Sequence, residues 1–544
     1  MKKVFSIQCL VFSEQATSKN KVGATPGSVK PKAGKLPRTL FGFRPSDFFR
    51  ISAFGFRISA ALACLSCLGV HAAHIPDRPE KLTFPPLTYE PPAPEKYRVT
   101  LKSGAVAYVV PDRELPLANV VVYVHTGQYL EPSAKEGLSD LTGYLLARGG
   151  TKSKTAEELE ERLAYLAAHL ESSIGENQGS VSLNLLSKDL DEGLGILREV
   201  LGTPRFQDDK IALRKQQMFQ SMKERNDDAA SIEDRERDFL AFGESFWANR
   251  YSTAASVEAI TRADLESFHQ SWFHPSNFVL AVSGDFDREQ MIEKLEKLFA
   301  NWPYAGKTPG PIPTNAEFAP PGVYLVNKEV NQGRVSMLLP GVKRDNPDYF
   351  PIMIMNDILG GGGFISRIVN RVRSDEGLAY DAHSRFAGGV YYPLPFNAGY
   401  QSKSRTVAYA ASIVVEELKK IASAPVTDDE LNTSRRGFID RFPHTFATKG
   451  QIANTFTQDE FTGRYAKEPD YWKKVRPRLQ AVTKDDILGV AKKYLIPEKL
   501  VILVIGDKKE ILLGQPDHPV KLNDLTTGQF KDVPLRDPLT MKPM

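Results

Sequence analysis

Cysteine is almost absent from this sequence. Of 544 residues only Cys9, Cys64 and Cys67 carry a thiol, and all three lie within the first 73 positions. Beyond them no residue can serve as a thiol nucleophile, a disulfide half or a thiolate metal ligand. Long hydrophobic runs are missing as well. The one apolar stretch of note, residues 58–70 (Ile-Ser-Ala-Ala-Leu-Ala-Cys-Leu-Ser-Cys-Leu-Gly-Val), is too short to cross a bilayer comfortably. The chain also lacks a strong surplus of charge. Its net of +4 is uneven: residues 1–73 hold eleven Lys and Arg against Glu14 and Asp47, a net of +9, which leaves −5 for the rest. A basic stripe is the electrostatic requirement for nucleic-acid binding, so the body of the chain is expected to have no such partner. The remaining balance, 25% charged and 42% hydrophobic, is that of a globular protein.

The leader explains much of this unevenness. Arg57, the apolar run behind it and the small residues Ala72 and Ala73 read as a secretory signal peptide cut near one of those alanines. Residues 1–50 are long and polar for such a segment. The reading places the protein outside the cytoplasm, periplasmic or secreted, without a membrane span; a lipid anchor at Cys64 or Cys67 is the lesser alternative. A cysteine-free body suits an oxidising compartment.

What the sequence does contain is a duplication. At an offset of 222, Ala259, Thr261, Asp264, Pro275, Val279, Val282, Gly284 and Asp285 match Ala481, Thr483, Asp486, Pro497, Val501, Val504, Gly506 and Asp507 without a gap. Each copy has one grammar: a Thr that caps a helix with an Asp three residues on, a Pro that ends it, and a continuous apolar run stopped by Gly-Asp, which reads as a buried strand. An offset this long means two large homologous domains. The expected organisation is a leader at 1–73, an extended segment at 74–96, a first domain at 97–303, a Pro-rich linker at 304–321, a second domain at 322–512 and an irregular surface tail at 513–544. Within the first domain, Arg98–Pro111, Ala118–Thr126 and Val181–Leu186 read as strands. Thr155 and Glu158 form a capping box ahead of a helical stripe at Leu159, Leu163, Leu166 and Leu170, and a second stripe runs Leu190, Leu194, Leu197, Leu201. The expected class is α+β, each domain a mixed or antiparallel sheet with helices packed on one face.

Three segments carry a resemblance: Gly127-x-x-x-Glu131-Pro132 through Gly137-Leu138 to Gly149; Leu359-Gly360-Gly361-Gly362-Gly363-Phe364-Ile365-Ser366-Arg367; and Arg373-x-x-x-Gly377-Leu378-Ala379-Tyr380. With the duplication, they make the chain similar to the insulinase/pitrilysin family of zinc metallopeptidases in its bacterial two-domain form, over nearly all of residues 95–510. That family's signature is His-x-x-Glu-His on the helix after the Gly-Leu. Two His at that spacing share a helix face and bind zinc, and the Glu acts as general base. Here the His positions are Asp140 and Tyr144 and the Glu position is Gly143. The third ligand, a Glu on a later helix, aligns with Gln220, beside Ser221 and one turn before Glu224. The resemblance thus implies the fold, while the residues contradict zinc chemistry, and no metal or other cofactor is expected in this chain. The histidines beyond residue 73 show no paired metal spacing and read as structural or surface residues. Gly360–Gly363 lacks the Lys-Ser/Thr ending of a phosphate loop and reads as a flexible hinge.

The resemblance further implies a role for Arg373 and Tyr380, which at this spacing reach over the zinc site of a second subunit and hold the substrate carbonyl. From the residues alone, Arg373 could equally pair with Asp375 or Glu376 while Tyr380 packs on a strand. The leading expectation is a non-zinc subunit of a heterodimeric peptidase, with zinc in a paralogous partner and peptide as substrate, added as a strand to a sheet edge near Leu170–Asn177. The alternatives are a catalytically dead scaffold or peptide-binding protein, alone or paired with itself, and a repurposed metal site built from Asp140, Glu224 and a distant His.

Overall fold

A computed structural model describes residues 88–544, with Arg78 and Leu82. The leader read in residues 1–73 lies outside the described residues. Among the described residues, no helix is long and apolar enough to cross a membrane.

Two six-stranded mixed sheets organise the chain. The first holds β1 (Arg98–Thr100), β2 (Val106–Pro111), β3 (Leu117–Val124), β4 (His169–Ile174), β5 (Gly179–Leu186) and β6 (Phe278–Gly284). Their order across the sheet is β1-β2-β6-β3-β5-β4. The second holds β7 (Gly322–Asn327), β8 (Gln332–Val342), β9 (Ala379–Phe386), β10 (Leu394–Lys403), β11 (Val501–Gly506) and β12 (Gln529–Asp532). Its order, β12-β7-β11-β8-β10-β9, repeats the first in five strands; β12 takes the outer place of β1 but comes from the tail and pairs in parallel where β1 is antiparallel. In each, the duplicated Gly-Asp strand (β6, β11) runs parallel to one neighbour and antiparallel to the other.

The helices of eight residues or more are α1 (Leu138–Arg148), α2 (Ala156–Tyr165), α3 (Leu190–Gly202), α4 (Asp208–Lys223), α5 (Ala229–Phe242), α6 (Arg262–Trp272), α7 (Arg288–Phe299), α8 (Tyr349–Asn356), α9 (Val407–Ser423), α10 (Asp428–Arg441), α11 (Lys449–Phe461), α12 (Tyr471–Ala481) and α13 (Lys484–Tyr494). Capping boxes open α2 at Thr155 with Glu158, α6 at Thr261 with Asp264 and α13 at Thr483 with Asp486. The duplicated sequence grammar is therefore a duplicated set of helix starts.

Both faces of β6 and β11 are buried, and the covering is reciprocal. Leu280 and Val282 face the core of the first domain, and Ala281 faces the core built around the second. On that second face lies α11, whose Thr457 hydroxyl donates to the Leu280 carbonyl at 3.0 Å. In the same way α5 lies on β11 and β8, packing Ile232 against Val501, Leu503 and Ile505. Each domain lends one helix to the other's sheet. Polar bonds fix the exchange. Glu460 of α11 accepts from the Arg98 guanidinium at 2.9 and 3.0 Å and from the Tyr108 hydroxyl at 2.9 Å. Glu233 of α5 accepts from Ser336 at 2.7 Å and pairs with Arg334. These carboxylates sit where burial would otherwise penalise them, so each holds a partner from across the junction.

Three expectations need correction. Residues 98–111 form a hairpin and not one strand, because the chain turns at Gly104, with φ +90°. Leu166 and Leu170 do not extend the helical stripe: α2 stops at Tyr165, Ala167 takes φ +47°, and Leu170 lies in the next strand, which begins at His169. The tail is not irregular throughout. Its β12 pairs in parallel with β7, and beyond it Arg536 is buried against Glu236 of α5. Residues 303–321 carry no helix or strand; the Glu317 and Ala319 amides donate to Phe242 and Leu240 of α5, and the Trp247 indole donates to Pro313.

Candidate functional site

Helix α1 begins where the sequence pattern places it, and Glu131 sets the start. Its carboxylate, 5% exposed, accepts from the Ser139 amide at 2.7 Å, the Ser139 hydroxyl at 2.6 Å and the Gly137 amide at 3.2 Å. These are donors that a helix N-terminus leaves unsatisfied. Burial raises the Glu131 carboxyl above its ordinary range, against the pull of the Ser139 and Gly137 bonds.

From that start α1 presents two ridges. Gly143 and Ala147 lie against β4: the Ser172 hydroxyl donates to the Gly143 carbonyl at 2.6 Å, and the Ala147 amide donates to Ser172 at 2.9 Å. The contact is main chain on main chain. A Cβ at Gly143 would stand 2.3 Å from the Ile174 nitrogen, a separation real Cβ atoms do not tolerate. The second ridge, Asp140, Tyr144 and Arg148, meets α4. Asp140 takes Arg214 at 2.9 and 3.1 Å, and the same guanidinium lies 4.2 Å from the centre of the Tyr144 ring. Arg148 lies 4.7 Å from that ring.

This geometry does not fit zinc. Asp140 is already neutralised by a cation, and a second guanidinium stands over Tyr144, so a metal ion would meet positive charge and no imidazole. Gly143 has no side chain to act as base and no room for one. Gln220 does not join the group; its amide donates to Glu224 at 2.8 Å on the exposed end of α4. The residue of α4 that does join is Arg214, which sequence reasoning missed. Its only signal was a basic residue on the helix facing a changed acidic position. Among the described residues no three His, Cys, Asp or Glu side chains gather as a metal would need. His269 is bonded to the Leu201 carbonyl in the core, and His274 lies between Ser276 and the Lys307 carbonyl.

Arg373 and Tyr380 come together in the second domain. The Gly-rich segment is a wide helical turn, Asp357–Gly361, continuing α8 and held close to β9, since a Cβ at Gly360 would meet the Ser384 nitrogen at 2.6 Å. It is a packed turn where a flexible hinge was expected. Gly363, with φ +65°, then releases Phe364 and Ile365 into solvent. A second wide turn, Asn370–Asp375, is anchored by buried Val372 and presents Arg373 outward. The Arg373 guanidinium lies 4.5 Å from the Phe364 ring and 4.6 Å from the Tyr380 ring. Among the described residues it makes no ion pair, with Asp375, Glu376 or any other carboxylate. Tyr380, on edge strand β9, is 83% exposed.

Comparison with known proteins decides the family. Residues 109–241 match the family model of the insulinase peptidases, peptidase family M16, and residues 259–438 match that of the peptidase M16 inactive domain. The chain belongs to the insulinase/pitrilysin family. A probable mitochondrial-processing peptidase subunit beta from Arabidopsis thaliana is 21% identical over 78% of this chain and 80% of its own length. An uncharacterized zinc protease from Streptomyces coelicolor is 22% identical over 76% and 90%. Among solved structures, a peptidase M16 inactive domain from Pseudomonas fluorescens superposes with a TM-score of 0.67 at 23% identity, covering 75% of this chain and 97% of that one. The periplasmic protease PqqL from Escherichia coli gives 0.63 at 14% identity, covering 76% and 45%. The two sheets and their helices are thus the insulinase-family pair of peptidase-like domains.

Proposed function

We propose that this chain is the non-zinc subunit of an exported heterodimeric metallopeptidase that degrades or processes peptides. A paralogous subunit with an intact His-x-x-Glu-His helix binds the zinc, and Arg373 and Tyr380 complete its active site. The observation that carries the proposal is the Arg373–Tyr380 pair. Arg373 is held between the Phe364 and Tyr380 rings, makes no ion pair among the described residues, and stands beside a tyrosine that is almost wholly exposed, so its donors are left for another molecule. An exposed cluster of Phe364, Ile365 and Tyr380 is the kind of surface that meets another molecule. Together the guanidinium and the phenol offer fixed donors to a developing oxyanion. Relatives support the assembly: the mitochondrial-processing peptidase subunit beta is by its name one chain of a larger enzyme, and the inactive-domain model matches the half that carries the pair. The signal-like residues 58–70 and the periplasmic neighbour support export.

The test is reconstitution with an exported zinc-bearing paralogue. Arg373→Ala should leave the complex intact and lower its peptide cleavage roughly a hundredfold, the scale of losing one oxyanion donor; Tyr380→Phe should lower it less. Unchanged cleavage by Arg373→Ala removes the role in trans. The scaffold or peptide-binding reading is favoured by one observation, the ion-paired and cation-covered motif ridge beside the open edge of β4. It would be chosen if peptide binds but no paralogue restores cleavage.

A further inference from the structure

The segment that carries Arg373 runs between two glycines in left-handed backbone, Gly363 at φ +65° and Gly377 at φ +61°. At both, no atom beyond the chain neighbours lies within 4 Å of where a Cβ would stand. The segment therefore joins the domain through two points that packing does not hold. Between them a short helix, Arg367–Val369, runs into the wide turn Asn370–Asp375. Buried Ile368 and Val372 seat the inner face of this coil on the core. Apolar contact is non-directional, so it does not by itself set the coil's rotation. Arg367 supplies a directional tie. Its Nε donates to Glu430 Oε1 at 2.7 Å and a terminal nitrogen donates to Oε2 at 2.9 Å, two parallel bonds between half-buried side chains. Glu430 is itself fixed, because it closes the capping box of α10 and accepts from the Thr427 amide at 2.8 Å. Burial pushes its carboxyl up, but the bonds from Arg367 and Thr427 outweigh that and hold it below the ordinary range. The coil's other charged tie, from Arg371 to Glu416 and Glu417 of α9, is longer, at 3.6 and 3.8 Å.

We propose that Arg367 and Glu430 are a positioning pair: their two-pronged bond sets the coil so that Arg373 stands between Phe364 and Tyr380 with its donors facing the substrate. The inference rests on the role proposed for Arg373 and adds two residues that touch neither substrate nor metal. Arg373 follows Arg367 by six residues, so a rotation of the coil at Arg367 carries the guanidinium with it. A donor to a developing oxyanion works only at hydrogen-bond distance, and a misplacement of about 1 Å costs roughly a hundredfold in rate. Lysine at 367 would keep the charge but not the fork that fits the carboxylate.

Two measurements separate positioning from a merely stabilising bond. The first uses the full chain alone. Hydrogen exchange read by mass spectrometry follows the Glu376 and Leu378 amides, which close the wide turn by donating to Arg371 at 3.2 Å and Val372 at 2.9 Å. Glu430→Gln keeps a residue that can cap α10 and removes the charge. It should speed exchange in a peptide spanning 370–380 roughly five- to tenfold and leave β10 unchanged. The second uses the complex with the zinc-bearing paralogue. Glu430→Gln and Arg367→Met should each lower kcat roughly ten- to a hundredfold with KM unchanged, and Arg367→Lys should recover part of the loss. In an Arg373→Ala background neither should cost anything further, because both act through Arg373. Thr427→Val is the control for stability: it weakens the cap of α10 and lowers the melting temperature while kcat stays at the parent value. Unchanged exchange in 370–380, an undiminished kcat, an equal loss in the Arg373→Ala background, or an equal loss in Thr427→Val would each overturn the proposal. If Arg373→Ala itself leaves cleavage intact, the role of Arg373 in trans fails. If Arg373→Ala slows cleavage and Glu430→Gln does not, only the positioning pair fails. If no paralogue restores cleavage, the exchange result alone decides whether the pair holds the turn.

Discussion

Gly143 stands where the family's general base would have to stand, and the backbone of β4 fills the space its side chain would need. Restoring the motif by Asp140→His, Gly143→Glu and Tyr144→His should therefore fail twice. The chain is expected to bind well under one zinc per molecule by metal analysis and to unfold at lower urea than the parent. Gly143→Ala alone should cost about 1–3 kcal/mol or more, as overpacking against a rigid neighbour does. Glu176, in the turn between β4 and β5, gives a pH signature. Burial, together with the Asp238 carboxylate, pushes its carboxyl up to about 7. Because the folded value lies above the unfolded one, the proton is held more tightly in the fold. Its stabilising effect is complete below the ordinary carboxyl range and is lost as pH rises through about 7. Glu176→Gln should remove that loss, so the stability gap between variant and parent should widen in the variant's favour from pH 5 to pH 8 in urea titrations.

At the scale of elements, the parts written locally were legible and the parts written across the chain were not. Thr261 and Thr483 announce their helices because a capping box needs only four consecutive residues. The unbroken apolar runs of β6 and β11 signalled buried strands, and in the structure both of their faces are covered. Which helix covers the second face was not readable, since nothing in α5 or α11 names its distant sheet. Leu166 and Leu170 misled because a spacing of four also fits a helix end followed by a strand that faces the same core; no Gly or Pro marks the break at Ala167. At the candidate site the residues at the expected motif positions, Asp140, Gly143 and Tyr144, were read from the sequence, but the pairing of Asp140 with Arg214 was not. The Arg373 turn belongs to this scale too. Its anchor is buried Val372, and half-buried Arg373 makes only ring contacts, so Arg373→Ala should change thermal stability by no more than about 1 kcal/mol. A large drop in melting temperature would show instead that the ring stacking holds the turn together.

For the molecule as a whole, the exchange of α5 and α11 packs each domain against the other's sheet, so the two are expected to unfold together, and the tail fastens them. After β12, the Arg536 guanidinium joins Glu236 and Arg235 in a buried charge group midway along α5, and the Arg536 and Pro538 carbonyls accept from Asn226 and Arg225. Arg536→Met would leave Glu236 to Arg235 alone, at a cost of up to about 3 kcal/mol. Removing residues 513–544 should cost more and lower the unfolding midpoint in a single transition. Two separated transitions would mean that the domains do not fold as one. On the proposed function, catalysis needs a second chain. The most direct test is to titrate this protein into its zinc-bearing paralogue and follow peptide hydrolysis. No hydrolysis is expected from this chain alone, and the mixture should show a rise that saturates at equal amounts of the two. Zinc-dependent hydrolysis by the purified chain on its own would contradict it.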